Sequence, residues 1–413
     1  MSLQDHDFLR VTTPIMTSSD CEGAGEVFQV IADSDAAQVF AGQLSREGRE
    51  SQGPTSPQRL AKDLTAFFSQ TSTYLTVSSQ LHLEAITALA HSRTYTITPA
   101  FRAEGSATSR HLSEFWMCEA EVAWIEADDA PESSKALEQT MEVCEQSVKA
   151  ALRSALGSRD GNASHRARDA SFLHGTTGDE AGHAEVDSLR HFAATETKPW
   201  PRLTYAQAIK LLQDQHQSSS QGSFSIEPVW GQGLASEHER WLASEQGPWK
   251  ERSDAAHASR GGPVFVTDFP AGVKAFYMRA NGGDVSEPTA EHQTVACFDL
   301  LVPRVGELAG GSVREERAEV LQRRMQEFGL VGADDESRQA RSPATATAGQ
   351  QSGTEEHGTS RSLDWYARDL RRFGGAPHGG FGIGIERLVS WATGTESVRD
   401  CIPFPRTTGA VRF

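Results

Sequence analysis

The chain has 413 residues, 38% of them hydrophobic and 23% charged, which is enough for two or three domain-sized units with a full core. No stretch approaches the roughly 18 consecutive apolar residues of a membrane span. The opening MSLQDHDFLRVTTPIM has neither the basic nor the apolar region of a secretory signal, so a soluble protein with no membrane partner is expected. With 56 acidic against 39 basic residues the net charge is −17, which opposes nucleic acid in bulk and argues against DNA. Contact with RNA then needs a local basic surface. The five cysteines are scattered without a CxxC pair, which argues against a disulfide framework or structural zinc and fits a reducing intracellular compartment.

Along the chain, Tyr74 to Val77 alternates β-formers with polar residues and predicts a strand. Ser79 to Leu89 places Leu81, Ala85, Ala88 and Leu89 on one helical face. Strands are predicted again at Thr94 to Ile97, Val264 to Thr267 and Phe276 to Met278. A helix is predicted over Ser312 to Met325, with a Glu319/Arg323 pair, and another from Ile385. Stretches 42–60, 157–197 and 333–362 are rich in Ser, Gly, Pro and charge and read as poorly ordered insertions within one large domain. Strands outnumber the helices needed for right-handed crossovers, so the fold class expected is α+β on an antiparallel sheet.

Three stretches carry candidate chemistry. Phe101 to Val122 places Arg102 and Glu104 before a Gly/Ser/Thr loop, then Arg110, His111 and a strand with Glu114, Phe115, Glu119 and Glu121. Arginines at both ends of such a hairpin suit a polyphosphate, because guanidinium groups match phosphate oxygens in a forked geometry. A solvated hairpin laced with weak ion pairs is the plainer reading. In Cys297 to Arg317, Asp299 and Glu307 offer the hard oxygens that magnesium on a phosphate requires, although two carboxylates eight apart are also common on solvated strands. Arg314 in the same stretch falls near a predicted helix start, where a cation calls for a compensating anion. In Gly374 to Trp391, glycines at 379, 380, 382 and 384 leave a strand bare for a flat ligand or for another backbone. That run matches neither GxxxxGK[ST] nor GxGxxG.

In order and wording the three stretches together resemble the catalytic domain of class II aminoacyl-tRNA synthetases, and within that class the asparaginyl-tRNA synthetases. Phe101 to Val122 is similar to that family's second signature motif, Gly380 to Val389 to its third, and Val11 to Phe28, with Pro14, to the end of its first. YLTVSSQLHLE (Tyr74 to Glu84), SEHERWL (Ser236 to Leu242), GPVFVTDFPAGVKAFYMR (Gly262 to Arg279) and IPFPRT (Ile402 to Thr407) extend the resemblance end to end, apart from the insertions. It implies two catalytic arginines, with Arg102 on the α-phosphate of ATP and Arg387 covering one face of the adenine. It places Phe115 on the other face, Glu104 on the adenine edge, and Arg110 and His111 at the γ-phosphate end. Leu112, Gly384, Ile385 and Glu386 would complete the ATP site, and Asp299 and Glu307 would hold Mg2+. Glu22, Gln80, Glu119, Gly310 and Arg314 would bind the amino acid, Glu22 at its α-amino group and Arg314 at its side-chain carbonyl.

The resemblance also bears on amino-acid choice. Aspartate-specific relatives supply a lysine shortly after the glutamine matching Gln80, where this chain reads Gln80-Leu81-His82-Leu83-Glu84. Glu119 stands where those relatives carry aspartate, and its carboxylate would accept from an asparagine amide while repelling aspartate. Asparagine and tRNA(Asn) are thus the expected partners. The chain opens at the end of the first motif, so the expectation is a catalytic domain without the anticodon-binding β-barrel that precedes it in the family, homodimeric in its full-length form. Val313 replaces the glutamine usual before Arg314. Two other readings stay open, a non-catalytic paralogue and an ATP-dependent asparagine synthetase built on the same fold. The insertions and the QLHLE wording lean towards the mitochondrial matrix, with the cytoplasm as the alternative.

Overall fold

The computed structural model describes residues 3–18, 27–34, 66–68, 72–105, 108–123, 133–156, 180–194, 198–218, 222–251, 261–282, 293–328, 330, 363, 365–372 and 376–410. Ten strands are found there: β1 (Leu9–Arg10), β2 (Met16–Thr17), β3 (Tyr74–Leu75), β4 (Arg93–Phe101), β5 (Glu114–Ala123), β6 (Arg202–Thr204), β7 (Val264–Thr267), β8 (Cys297–Val302), β9 (Gly306–Val313) and β10 (His378–Gly384). Eight of them form one sheet in the order β1-β4-β5-β10-β9-β8-β7-β6, while β2 and β3 pair separately. The ladders from β4 through β7 are antiparallel, and the two outer pairs, β1 with β4 and β6 with β7, are parallel. The α+β expectation holds, with a mixed sheet in place of a wholly antiparallel one.

Strand β10 is central although its sequence, HGGFGIG, is poor in β-formers. Ladders on both sides compensate, and Phe381 and Ile383 alternate into the core. Against that face pack α2 (Ser133–Leu156) and α3 (Glu180–Ala193), following α1 (Gln80–Leu89) on the opposite face. Leu137, Met141, Cys144, Val148 and Leu152 of α2 are all buried. Their 4-3-4-4 spacing is one helical stripe, each large side chain contributing about 1.5–3 kcal/mol of apolar burial. Further on, α4 (Tyr205–Gln217) and α5 (Ser236–Leu242) cover β7 and β8. Helix α4 opens on a reciprocal cap, in which Thr204 Oγ1 accepts from the Gln207 N–H at 3.2 Å and Gln207 Oε1 accepts from the Thr204 N–H at 2.9 Å.

Several expectations need correction. The helix drawn from Ser312 to Met325 starts only at α6 (Ala318–Glu327). Ser312 and Val313 remain in β9, held by ladders to β8 and β10. Phe276 to Met278 forms no strand, only an isolated bridge between Met278 and Arg314, because Phe276 and Tyr277 are buried under α1 and α6. The second supposed insertion contains α3, whose Val186, Leu189 and Phe192 enter the main core. Residues 42–60 and 333–362 lie outside the described residues. The last helix, α7 (Ile385–Thr393), starts where expected and ends at Gly394, whose φ of +73° suits glycine.

Candidate active site

Strand β5 separates two environments by its period of two. Cys118, Ala120 and Val122 face the α2 core, while Met117, Glu119 and Glu121 line a cavity of about 570 Å³ on the opposite face. Across the ladder on β10, Gly384 opposes Met117, Gly382 opposes Glu119 and Gly380 opposes Glu121. These glycines serve different neighbours. A Cβ on Gly380 would lie 2.0 Å from Glu121 Oε1, so this residue makes room for a carboxylate of the protein itself. A Cβ on Gly384 would meet only the Arg387 stem, at 3.5 Å, so internal packing does not demand glycine there and the space opens to the cavity.

At one end of the cavity the Arg102 guanidinium lies 5.4 Å from the centre of the Phe115 ring. Glu104 meets His111 at 3.4 Å, and Arg110 reaches Glu239 at 3.3 Å and the Val305 carbonyl. Arg387 Nη1 donates to the Glu307 carbonyl at 2.8 Å and to Glu307 Oε2 at 3.4 Å. Burial works against the Glu307 charge, but Arg387, Lys274 and Arg102 together hold its carboxyl below the usual range. Lys274 Nζ donates to both oxygens of Asp299, at 2.6 and 2.7 Å. Burial pushes Asp299 up to about 6, with Lys274 opposing the shift and Glu307 adding to it. A Cβ on Gly310 would lie 3.2 Å from Glu307 Oε1 and 3.7 Å from Asp299 Oδ1, so the two carboxylates converge over a bare backbone. Such hard oxygens fit a magnesium ion that draws its remaining ligands from phosphate and water, in competition with Lys274. Among the described residues no group of three or more His, Cys, Asp or Glu side chains forms a metal cage.

At the other end Arg314 is buried and ion-paired. Its Nε and Nη2 donate to Glu121 Oε1 at 3.2 and 2.5 Å, and Nη1 donates to Ser312 Oγ at 2.7 Å. The Tyr277 ring lies 5.3 Å away. Glu119 is occupied differently. Its carboxylate accepts from the Ser78 hydroxyl and from the Ser79 N–H at 2.9 Å, at the start of α1. It therefore caps the helix that carries Gln80, and burial raises its affinity for a proton against those bonds.

Of the residues singled out from sequence, Gln80, Arg102, Glu104, Arg110, His111, Leu112, Phe115, Glu119, Asp299, Glu307, Gly310, Arg314, Gly384, Glu386 and Arg387 all line this one cavity. Ile385 is not on its wall, and Glu22 lies outside the described residues. The Glu386 carboxylate is spent on the Trp116 N–H, at 3.1 Å to each oxygen, and joins α7 to β5. Sequence reasoning missed Lys274 and Tyr277, which sit on an irregular segment without periodicity. It also missed the pairing of Glu121 with Arg314, two residues 193 apart in the chain.

A fold of this topology with these residues around one cavity defines a class of protein, and comparison bears this out. The profile of the tRNA synthetases class II (D, K and N) matches residues 1–408, and the chain belongs to that family. Within the family, the chain is 37% identical to the asparagine–tRNA ligase of Thermosynechococcus vestitus over 99% of its own length and 68% of that protein's. It is 35% identical to the mitochondrial asparagine–tRNA ligase of Saccharomyces cerevisiae, over 98% of this chain and 65% of the yeast protein. The structure of asparaginyl-tRNA synthetase from Pyrococcus horikoshii complexed with asparaginyl-adenylate superposes with a TM-score of 0.63 at 26% identity, over 99% of this chain and 65% of that one. The chain thus spans about two thirds of the length of the relatives it matches. Among the described residues no helix is long and apolar enough to cross a membrane.

Proposed function

We propose that this chain activates asparagine with ATP and passes it to tRNA(Asn), as an asparagine–tRNA ligase. The observation that carries the choice of amino acid is the pairing of Arg314 with the Glu121 carboxylate, with Ser312 on a third N–H. A free arginine at the end of the pocket would draw a carboxylate, whereas one already neutralised has only its residual N–H polarity to offer a side-chain carbonyl. The lack of a lysine after Gln80 and the asparagine–tRNA ligases among the relatives support the same reading.

In this reading the asparagine carboxylate attacks the α-phosphorus of ATP in line, a P–O bond forms, and pyrophosphate leaves with the electron pair of the broken bond. Arg102 holds the α-phosphate and stabilises its developing charge, an electrostatic role rather than an acid–base one. Phe115 and Arg387 flank the adenine, and Glu104 reads its edge. Arg110 and His111 meet the γ-phosphate, while Leu112, Gly384 and Glu386 frame the nucleotide. Asp299 and Glu307 would hold a magnesium ion, which would supply neutralisation of phosphate charge. Gln80, Gly310 and Glu119 frame the amino acid, with Glu22 at its ammonium group. A terminal hydroxyl of the tRNA then displaces AMP from the acyl carbon. The protein acts as a homodimer, and a mitochondrial site of action is supported by the yeast relative.

The test is ATP–pyrophosphate exchange on the 413-residue chain with asparagine, with aspartate and with neither. Exchange dependent on asparagine is expected. Exchange with aspartate instead, or none from folded protein, would overturn the assignment.

A further inference from the structure

Behind the amino-acid end of the cavity lies a buried group of charges that this chemistry does not use. Glu84 of α1 is 0% exposed, yet it accepts three hydrogen bonds, from Gln80 Nε2 at 3.0 Å, Tyr366 Oη at 2.9 Å and Arg371 Nη2 at 3.0 Å. His378 Nε2 lies 3.0 Å from the same carboxylate, while its Nδ1 donates to the Ala376 carbonyl at 2.9 Å. Its Oε1 is also 4.0 Å from Arg314 Nε. Glu84 does not itself line the cavity, but two of its neighbours, Gln80 and Arg314, do. A buried charge is kept at a high desolvation cost, and this one ties together α1, the turn Trp365–Asp369 with its extension Leu370–Arg372, and the start of β10.

Two consequences follow from the chemistry of a carboxylate. Being an acceptor only, it obliges the Gln80 amide to turn its NH2 inward, which leaves the carbonyl oxygen as the group available to a ligand. It also offsets the basic side of the cluster, in which Arg371, Arg314 and His378 face the carboxylates of Glu84 and Glu121. The adjoining Glu315 is matched by Arg317 at 2.7 Å and leaves that balance unchanged. We propose that Glu84 is a specificity-setting positioning residue, which from behind the pocket wall orients Gln80 and balances Arg371 and Arg314 so that a neutral side-chain amide is accepted and a carboxylate is not.

This inference rests on asparagine being the substrate, and its test separates the two claims. The wild-type chain, Glu84→Gln and Arg371→Met are compared in ATP–pyrophosphate exchange over a range of asparagine and of aspartate. Glu84→Gln leaves an excess cation beside the pocket, and the asparagine-to-aspartate ratio of kcat/KM should fall about tenfold, close to 1.4 kcal/mol, through KM rather than kcat. Arg371→Met leaves an excess anion and should not lower the ratio. An unchanged ratio in Glu84→Gln, or a fall in both variants, which would mean general loosening, overturns the proposal while an asparagine-dependent wild type leaves the function standing. Should circular dichroism show Glu84→Gln unfolded, the double variant Glu84→Gln/Arg371→Met loses one charge of each sign. There the asparagine KM should rise as Gln80 loses its anchor while the ratio holds, and an unchanged KM overturns the proposal. A wild type inactive with asparagine overturns the function itself.

Discussion

Gly380 faces Glu121 across the β10–β5 ladder so closely that a methyl group on its α-carbon would lie 2.0 Å from Glu121 Oε1. The glycine is therefore part of the Arg314–Glu121 pair, although it touches no ligand. Gly380→Ala should push the carboxylate off Arg314 and lower stability by about 1–3 kcal/mol, as overpacking does. Urea denaturation together with the asparagine KM would check this. A variant with wild-type stability and wild-type KM would show that Glu121 has room to move.

The same pair predicts a pH effect. Burial pushes Glu121 up to about 7, against the pull of Arg314 and with help from Glu84. Between its unfolded value of 4.5 and about 7 the folded protein holds a proton that the unfolded chain has released. Stability from this group is therefore full below 4.5 and is lost as pH rises through 7. Function moves the opposite way, because a protonated Glu121 no longer neutralises Arg314. Discrimination against aspartate should weaken as pH falls from 8 to about 6, and the slope should vanish in Glu121→Gln. Exchange assays across that range would show it, and a slope that persists in the variant would assign it to another group.

Glu119 makes a separable prediction. Its bonds to Ser78 and Ser79 cap α1, so Glu119→Gln should cost about 1 kcal/mol of stability, as a lost cap does. Through the displaced Gln80 it should raise the asparagine KM and weaken discrimination against aspartate, with little change in the ATP KM. If discrimination is unaltered, Glu119 acts on the helix alone.

Lys274 and the proposed magnesium compete for Asp299, since the ammonium already binds both its oxygens. Lys274→Met should lower the magnesium concentration that gives half-maximal exchange, and Glu307→Ala should abolish the magnesium-dependent reaction. A magnesium titration unaltered by either change would mean that the ion is held elsewhere.

The sequence by itself determined the fold class, the family resemblance and about half of the cavity wall, because those residues sit in contiguous stretches whose wording survives without knowledge of the fold. Arg102 to Phe115 is one hairpin and Gly384 to Arg387 one strand-to-helix turn. Helix α2 was missed, although the spacing of Leu137, Met141, Cys144, Val148 and Leu152 carries its buried stripe. Only the tertiary structure decided what each charge is paired with. Glu119 and Glu121 are two residues apart on one face of β5, yet one caps a helix and the other neutralises an arginine. Glu84 draws donors from residues 282 and 287 positions away as well as from its own helix. Local patterns set which residue types lie on a surface. The partner of a buried charge depends on which distant strands and helices the fold packs against it, because an unpaired charge there costs several kcal/mol, on the order of the protein's whole stability.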